Sequence, residues 1–283
     1  MRFAIIIPAH NEAAFLPAML QSLFNQSLPA SEIVVVDDHS SDSTPAIVEQ
    51  FMDQFPHLKL VRTTSAPTHA PGSKIVEAFY QGYEQLQHDF DVVCKYDADL
   101  IFPPDYLETL AEHFQQEPKR GMVGGFCYIE KNNGWVLESL TSKDHIRGAL
   151  KAYRKACFED IGGLKPSMGW DTADELLAQY YGWEVFTDEA LKVKHLRPTG
   201  ATYSKEAQLR QGEAFYKLRY DFSLTLLASA KLALNKKKPG FVIKYLQGYF
   251  RAKRQGLPYL VGEKEGAFIR RLRYRKIKQK FFS

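Results

Sequence analysis

The chain has 283 residues, enough to bury a sizeable core as one large domain or one domain with an appendage, and 45% hydrophobic with 25% charged residues is the make-up of a soluble globular protein. No stretch approaches the ~20 apolar residues of a membrane-spanning helix; the nearest, Leu224 to Leu234, is short and interrupted by Lys231. The net charge of +4 hides an asymmetry: of 37 basic and 33 acidic residues, 16 and 2 fall between Ala230 and Ser283, so an acidic body carries a basic tail.

The opening Met1-Arg2-Phe3-Ala4-Ile5-Ile6-Ile7-Pro8 has one basic residue and too short an apolar run for a signal peptide, and it reads as a first strand. Cys94, Cys127 and Cys157 are scattered without metal spacing and read as reduced thiols of a cytoplasmic protein. After strand Phe3–Ile7 comes a helix around Phe15–Asn25, with Phe15, Leu16, Met19, Leu20, Leu23 and Phe24 at helical spacing. Strand Glu32–Val36 is apolar almost throughout, as a parallel strand covered on both faces should be. A second helix has Ser43 or Asp42 as its cap and Pro45 in its first turn. A strand near Leu58–Arg62, a helix near Ser73–Gln85, a strand ending at Asp97 and a helix from about Pro104 to Gln116 complete a β-α-β-α half. That order predicts an α/β fold with a mostly parallel sheet and ligands at the carboxyl ends of its strands.

Farther on, Met122–Ile129 and Arg147–Tyr153 read as strands, and Cys157–Ile161 as a short helix ended by Gly162-Gly163. Thr172–Tyr181 reads as a helix capped by Asp171 and ended by Gly182, followed by short strands near Glu184–Thr187 and Leu191–His195. Helical, basic sequence runs from Ser204 to the end. Pro198-Thr199-Gly200 marks the boundary between a catalytic body, residues 1–200, and a tail, residues 201–283.

Asp97-Ala98-Asp99, at the exit of an apolar strand, is the most informative feature. Two carboxylates at i and i+2 project to one side and repel, and a hard divalent cation shared with a diphosphate would satisfy both. Four other segments point to the same sheet edge. Around Pro8, Ala9 and Glu12, backbone groups line a planar base, and Glu12 holds the turn or bonds a ribose. Asp37 and Asp38 end the second strand, where they accept a uracil imide or ribose hydroxyl, or satisfy loop amides. Ala70-Pro71-Gly72-Ser73-Lys74 enters a helix whose N-terminus, with Lys74, favours an anion. Finally, Asp171, Asp174 and Glu175 share a helical face and offer a general base, while His195 ends a strand and offers a nitrogen ligand that favours manganese over magnesium.

In order, Ile6-Ile7-Pro8-Ala9-His10-Asn11-Glu12, Val35-Val36-Asp37-Asp38 with Ser40-Ser41-Asp42-Ser43-Thr44, Gly72-Ser73-Lys74, Asp97-Ala98-Asp99 and Phe158-Glu159-Asp160-Ile161-Gly162-Gly163 resemble the inverting family-two glycosyltransferases of GT-A fold, over Phe3 to about Gly200. The resemblance implies transfer of a sugar from a nucleoside diphosphate donor to an acceptor hydroxyl with inversion, in cell-surface polysaccharide or lipopolysaccharide assembly, or as a polyprenyl-phosphate sugar transferase. It implies nucleoside binding by Pro8, Glu12, Asp37 and Asp38. It implies Mn2+ or Mg2+ held by Asp99, with Asp97 and His195. It implies a base in an acid pair at the start of the acceptor-side helix. This chain departs there, with Asp171-Thr172-Ala173-Asp174-Glu175 in place of the pair; Asp174 is the expected base, with Asp171 and Glu175 behind it. UDP is the expected donor because an acidic pair suits an imide.

The tail interleaves Phe241, Tyr245, Tyr249 and Phe250 with Lys244, Arg251, Lys253 and Arg254, and it ends in a strongly basic run from Arg270. Such a segment docks on an anionic membrane, here the inner face of the plasma membrane beside a glycan or lipid-linked acceptor. Two other classes compete: a nucleotidyltransferase, which generally opens on a glycine-rich loop that is missing after Ile7, and a non-catalytic nucleotide- or nucleic-acid-binding protein. The acidic body argues against nucleic acid.

Overall fold

Three apolar runs make the centre of the sheet: β1 (Phe3–Ala9), β2 (Glu32–Asp37) and β4 (Val92–Tyr96), which bury nearly every residue. The computed structural model describes residues 1–63, 72–87, 89–138, 143–198 and 205–282, without the side chains of 205 and 280–282. Ala70-Pro71 and Thr199-Gly200 therefore lie outside the described residues. The sheet order is β3-β2-β1-β4-β8-β6-β9-β5, with β7 paired to β6. β3 (Leu58–Arg62), β2, β1 and β4 are parallel neighbours. β8 (Leu150–Arg154) runs antiparallel between β4 and β6 (Arg120–Lys131), and β9 (Glu184–His195) returns parallel to β6. β5 (Leu100–Ile101) closes on β9 and β7 (Gly134–Leu137) on β6, both antiparallel. The chain order reverses direction across β1 and β4, which opens a crevice at their carboxyl ends.

Helices cover this sheet: α1 (Leu16–Phe24), α2 (Thr44–Met52), α3 (Ser73–Tyr83), α4 (Tyr106–Gln116), α5 (Lys155–Asp160) and α6 (Trp170–Tyr180). α1 buries Leu16, Met19, Leu20 and Leu23, the apolar stripe read from the sequence. The expected α/β class and the helical C-terminal segment are both present. That segment comprises α7 (Lys205–Lys217), α8 (Phe222–Asn235), α9 (Phe241–Gln255) and α10 (Glu263–Phe282). It packs on the body: Tyr181 Oη donates to Glu265 Oε1 at 3.0 Å, and Lys276 Nζ donates to Asp144 Oδ2 at 2.5 Å. No helix among the described residues is long and apolar enough to cross a membrane.

Several local expectations change. β8 begins at Leu150 rather than Arg147, because Arg147 turns aside to a buried carboxylate. The two strands expected between Glu184 and His195 are one, whose pairing with β6 jumps from Thr187 to Lys192 across an irregularity at Gly125, where a Cβ would strike Leu191. The expected cap Asp171 sits inside α6; the N-cap is Gly169, in the left-handed region at φ 80°. The short β5 and β7 were not foreseen. Tyr245 and Tyr249, two of the aromatics interleaved with cations in the tail, are buried.

α7 and α9 cross through two glycines, Gly212 and Gly248, set reciprocally. A Cβ on Gly212 would fall on the carbonyl oxygen of Tyr245, and one on Gly248 on that of Leu209. Intrinsic helix propensity favours alanine at both sites by about 1 kcal/mol, but overpacking against backbone costs about 1–3 kcal/mol or more. Gly212→Ala and Gly248→Ala should each lower the urea midpoint, and an unchanged or higher midpoint would show the helices free to part.

Candidate active site

The carboxyl ends of β1, β2 and β4 frame a cavity of about 230 Å³ lined by Pro8, Ala9, His10, Glu12, Asp38, Lys74, Asp97, Asp99 and Arg197, among others. Its floor is two loops stitched together. Asp38 N donates to Ala9 O at 2.8 Å, Asn11 N to Ser40 Oγ at 2.9 Å, and Glu12 N to Thr44 Oγ1 at 2.8 Å. Asp42 accepts from Thr44 N (2.9 Å) and Ala13 N (3.1 Å), which ties the start of α2 to the loop before α1. Asp38 accepts from Thr63 Oγ1 at 3.1 Å, and Lys74 Nζ approaches its other oxygen at 3.5 Å. Gly72, at φ 83°, occupies the N-cap of α3, and its missing Cβ leaves room for the backbone of Met168.

Asp97 and Asp99 meet different surroundings. Asp97 is held by Lys95 Nζ, a buried ammonium that also donates to Gly148 O at 3.1 Å. Asp99 is buried; its Oδ2 accepts from Arg197 Nε at 3.2 Å, and Arg197 also bonds Glu12 Oε1. Burial raises the Asp99 carboxyl, but His195 and Arg197 outweigh it and hold the group below the ordinary carboxylate range. For Glu12 burial prevails over Arg197, and its pKa is raised.

Two carboxylate oxygens here, Asp99 Oδ1 and Glu12 Oε2, are buried without a hydrogen-bond partner. His195 Nε2 stands 3.6 Å from Asp99 Oδ1, while its Nδ1 faces Glu138 Oε2 at 2.7 Å, and Glu138 is paired in turn with Arg147. A carboxylate on one imidazole nitrogen leaves the other aimed at a cation, the usual orientation of a metal-binding histidine. The donor set of Asp99, His195 and the neighbouring Asp97 therefore fits a divalent ion. Cys127, Glu138 and His195 also bring ligand atoms within 4.8 Å of one another. That cluster suits a metal less well: burial pushes the Cys127 thiol up to about 12, and Arg147 already occupies Glu138.

The acid cluster on α6 divides. Asp174 is buried, with Lys151 Nζ 2.8 Å from both its oxygens and Tyr153 Oη donating at 2.5 Å. Burial pushes its carboxyl up, to about 6, against the pull of Lys151. Glu175 is also buried, accepting from Ile146 N at 2.8 Å and facing His145 Nδ1 at 2.9 Å. Asp171 alone reaches solvent, its side chain 33% exposed, 3.8 Å from His145 Nε2. Burial raises its carboxyl, but His145, Lys151 and Lys95 bring the net below the ordinary range.

The structure thus brings Pro8, Ala9, Glu12, Asp38, Lys74, Asp97 and Asp99 to one cavity, with His195 directly behind Asp99. Asp37 does not line it: the side chain is buried and accepts from Ser40 N at 3.3 Å, the loop-amide role. None of the three acids of α6 lines it either: Asp174 and Glu175 are locked beneath α6, and Asp171 stands outside the lining, beside His145. Arg197, Lys95, Lys151, His145, Glu138 and Arg147 were assigned no role from the sequence. A lysine inside an otherwise apolar strand, as at Lys95, is the one signal that would have found any of them.

Comparison with known proteins bears on this geometry. Over 95% of its length the chain superposes on the mannosyltransferase PcManGT from Pyrobaculum calidifontis, a complex with GDP-Man and Mn2+, with TM-score 0.59, 17% identity and 78% of that chain covered. A second likeness is to Staphylococcus aureus TarS 1-349 in complex with UDP-GlcNAc (TM-score 0.58, 18% identity, 90% of this chain and 74% of that one). Identities this low show the fold, that of the GT-A glycosyltransferases. Residues 4–163 match the family described as Glycosyl transferase family 2, and the chain belongs to that family. It is also similar to the probable glycosyltransferase YdaM of Bacillus subtilis, 35% identical over 202 residues, 63% of this chain and 44% of that protein. The chain spans about half or less of the length of the curated relatives it matches.

His145 offers a pH test. Burial lowers its pKa, but Asp171 and Glu175 outweigh this and raise it to about 9. A raised folded value gives stability that is complete below the unfolded pKa of about 6.5 and lost as pH climbs toward 9. The loss should be on the order of 2–3 kcal/mol between those limits. Urea midpoints of wild type should fall more steeply than those of His145→Gln over this window; parallel profiles would show the imidazole neutral throughout.

Proposed function

We propose that the protein is a metal-dependent inverting glycosyltransferase that moves a sugar from a nucleoside diphosphate, UDP by preference, to an acceptor hydroxyl. One observation carries the reading: acids from three strand ends converge on one cavity, and two of their oxygens there are buried and unpartnered. The loops at Pro8–Glu12 and Asp38 hold the nucleoside, Asp38 accepting an imide or ribose hydroxyl. When bound, Mn2+ or Mg2+ on Asp99, Asp97 and His195 supplies neutralisation of charge on the diphosphate. Lys74, at the first turn of α3, stabilises the same developing charge. Arg197 balances Glu12 and Asp99 and keeps the two acids close together.

The acceptor's proton goes to Asp171. Of the three acids on α6 it alone is partly exposed, and its depressed pKa keeps it ionised at neutral pH. Asp174, the expectation from sequence, is better suited to anchoring Lys151. As Asp171 takes the proton, the acceptor oxygen bonds the anomeric carbon from the face opposite the departing diphosphate, which inverts the centre. The basic C-terminal segment supports work at the cytoplasmic face of an anionic membrane, on a glycan or lipid-linked acceptor of cell-surface polysaccharide or lipopolysaccharide assembly.

Screening nucleotide sugars with Mn2+ or Mg2+, with the product anomer assigned by NMR, tests the reading; a retained configuration or no hydrolysis or transfer from any donor would defeat it. Asp99→Ala should abolish transfer and metal-dependent donor binding, and activity surviving in that variant would remove the metal from the reaction. Asp171→Asn should cut kcat by about 10²–10⁴ with donor affinity unchanged. Asp174→Asn should instead show itself as lost stability, about 3–5 kcal/mol, because Lys151 is left buried and undercompensated. The opposite split between kcat and stability would return the base to Asp174.

A further inference from the structure

Helix α8 packs inward through a mixed face, with Leu224 and Ala233 beside two hydroxyl residues, and leaves large apolar side chains outside. Its hydroxyl residues Thr225 and Ser229 are 0% exposed, whereas Phe222, Leu226, Leu227 and Leu234 face outward, at 51%, 41%, 44% and 73% exposure. At about 100° per residue these four occupy one side of the helix. The turn after α8 brings α9 alongside, and Phe250 stands beside Phe222 with ring centroids 5.8 Å apart. Ile243, two turns before Phe250 on α9, extends the patch at 62% exposure. Six large apolar side chains exposed on one helix pair mark a contact surface.

Charge selects what it contacts. From Phe222 to Gly262 the chain has eight basic residues and no acidic one, and Lys236, Lys237 and Lys238 stand together at the turn between the two helices. A symmetric partner copy would bring the same cations against themselves. A surface of anionic headgroups over hydrocarbon meets both features at once. On the more basic α10 three cations turn to the protein, Arg270 donating to Arg219 O at 2.7 Å, Arg273 to Tyr220 Oη at 3.0 Å and Lys276 to Asp144, and on α9 Arg251 pairs with Glu206 and Glu213.

Resting on the reading of the C-terminal segment as membrane-facing, we propose that the outer face of α8, with Ile243 and Phe250 of α9, is the element that enters the headgroup layer of an anionic membrane, with Lys236–Lys238 at its rim. The test is co-sedimentation of the full chain with phosphatidylglycerol-containing and with pure phosphatidylcholine vesicles. Wild type should partition onto the anionic vesicles, less so at high salt. Leu226→Ser/Leu227→Ser/Phe250→Ser should bind about tenfold more weakly or worse, and Lys236→Glu/Lys237→Glu/Lys238→Glu similarly. All six positions are exposed or partly so, and unchanged thermal melts would show that each variant is folded. Wild type indifferent to anionic vesicles would end the membrane reading itself. Wild type that binds while both variants bind equally well would keep that reading and overturn the assignment to α8 and α9. A wild-type dimer by light scattering that becomes monomeric in the serine variant would show that a second copy covers the strip, and would overturn it too.

Discussion

Lys95 and Lys151 lie directly opposite each other in the antiparallel register of β4 and β8, and both are buried. Two like charges in that relation repel, and in a dry interior the repulsion is severe unless each finds acids of its own. They find them in opposite directions. Lys95 takes Asp97, at the cavity, while Lys151 takes Asp174 and Glu175, beneath α6. The face of Trp170 lies near both, 5.5 and 5.7 Å from the two ammonium groups, where its negative ring surface is favourable. The Asp97 loop and α6 are thus tied to one pair of strands, and the separation between Asp97 and Asp171 is set by the sheet rather than by a loop.

The same logic of compensated charge runs through the rest of the cavity. Glu12 and Asp99 share Arg197; His195 stands between Asp99 and Glu138; Glu138 is shared with Arg147. Each acid has a basic neighbour, yet two oxygens on the cavity side keep no partner. A buried polar atom left unpaired costs about 1–3 kcal/mol. Such a cost is tolerable where a ligand relieves it, which is why unpaired oxygens at a strand-end crevice speak for binding rather than for packing.

The central strands and most helices were legible because apolar periodicity alone specifies them: β1, β2 and β4 are continuous runs, and α1 buries the residues its spacing marks. The mixed half of the sheet was less so. β9 pairs partly and then skips, and β7 is a short hairpin arm whose residues are mostly exposed, so neither leaves a clean alternating signature. Site residues followed the same division. Acids directly after a buried strand, such as Asp38, Asp97 and Asp99, announce themselves by position. Glu138 and Arg147 do not, since nothing local tells a buried carboxylate from a solvated one.

Sequence by itself determined the fold class, the strand ends that frame the cavity, and the acids set there and on α6, because these depend on local pattern and chain order. Only the tertiary structure tells those acids apart. Asp171 and Asp174 are three residues apart on one helix and alike in chemistry. What separates them is that β8 carries Lys151 and Tyr153 under one and leaves the other partly exposed beside His145. The same holds for α8, where Leu224 is buried while Leu226, Leu227 and Leu234 lie outside, because Thr225 and Ser229 share the inward face with Leu224.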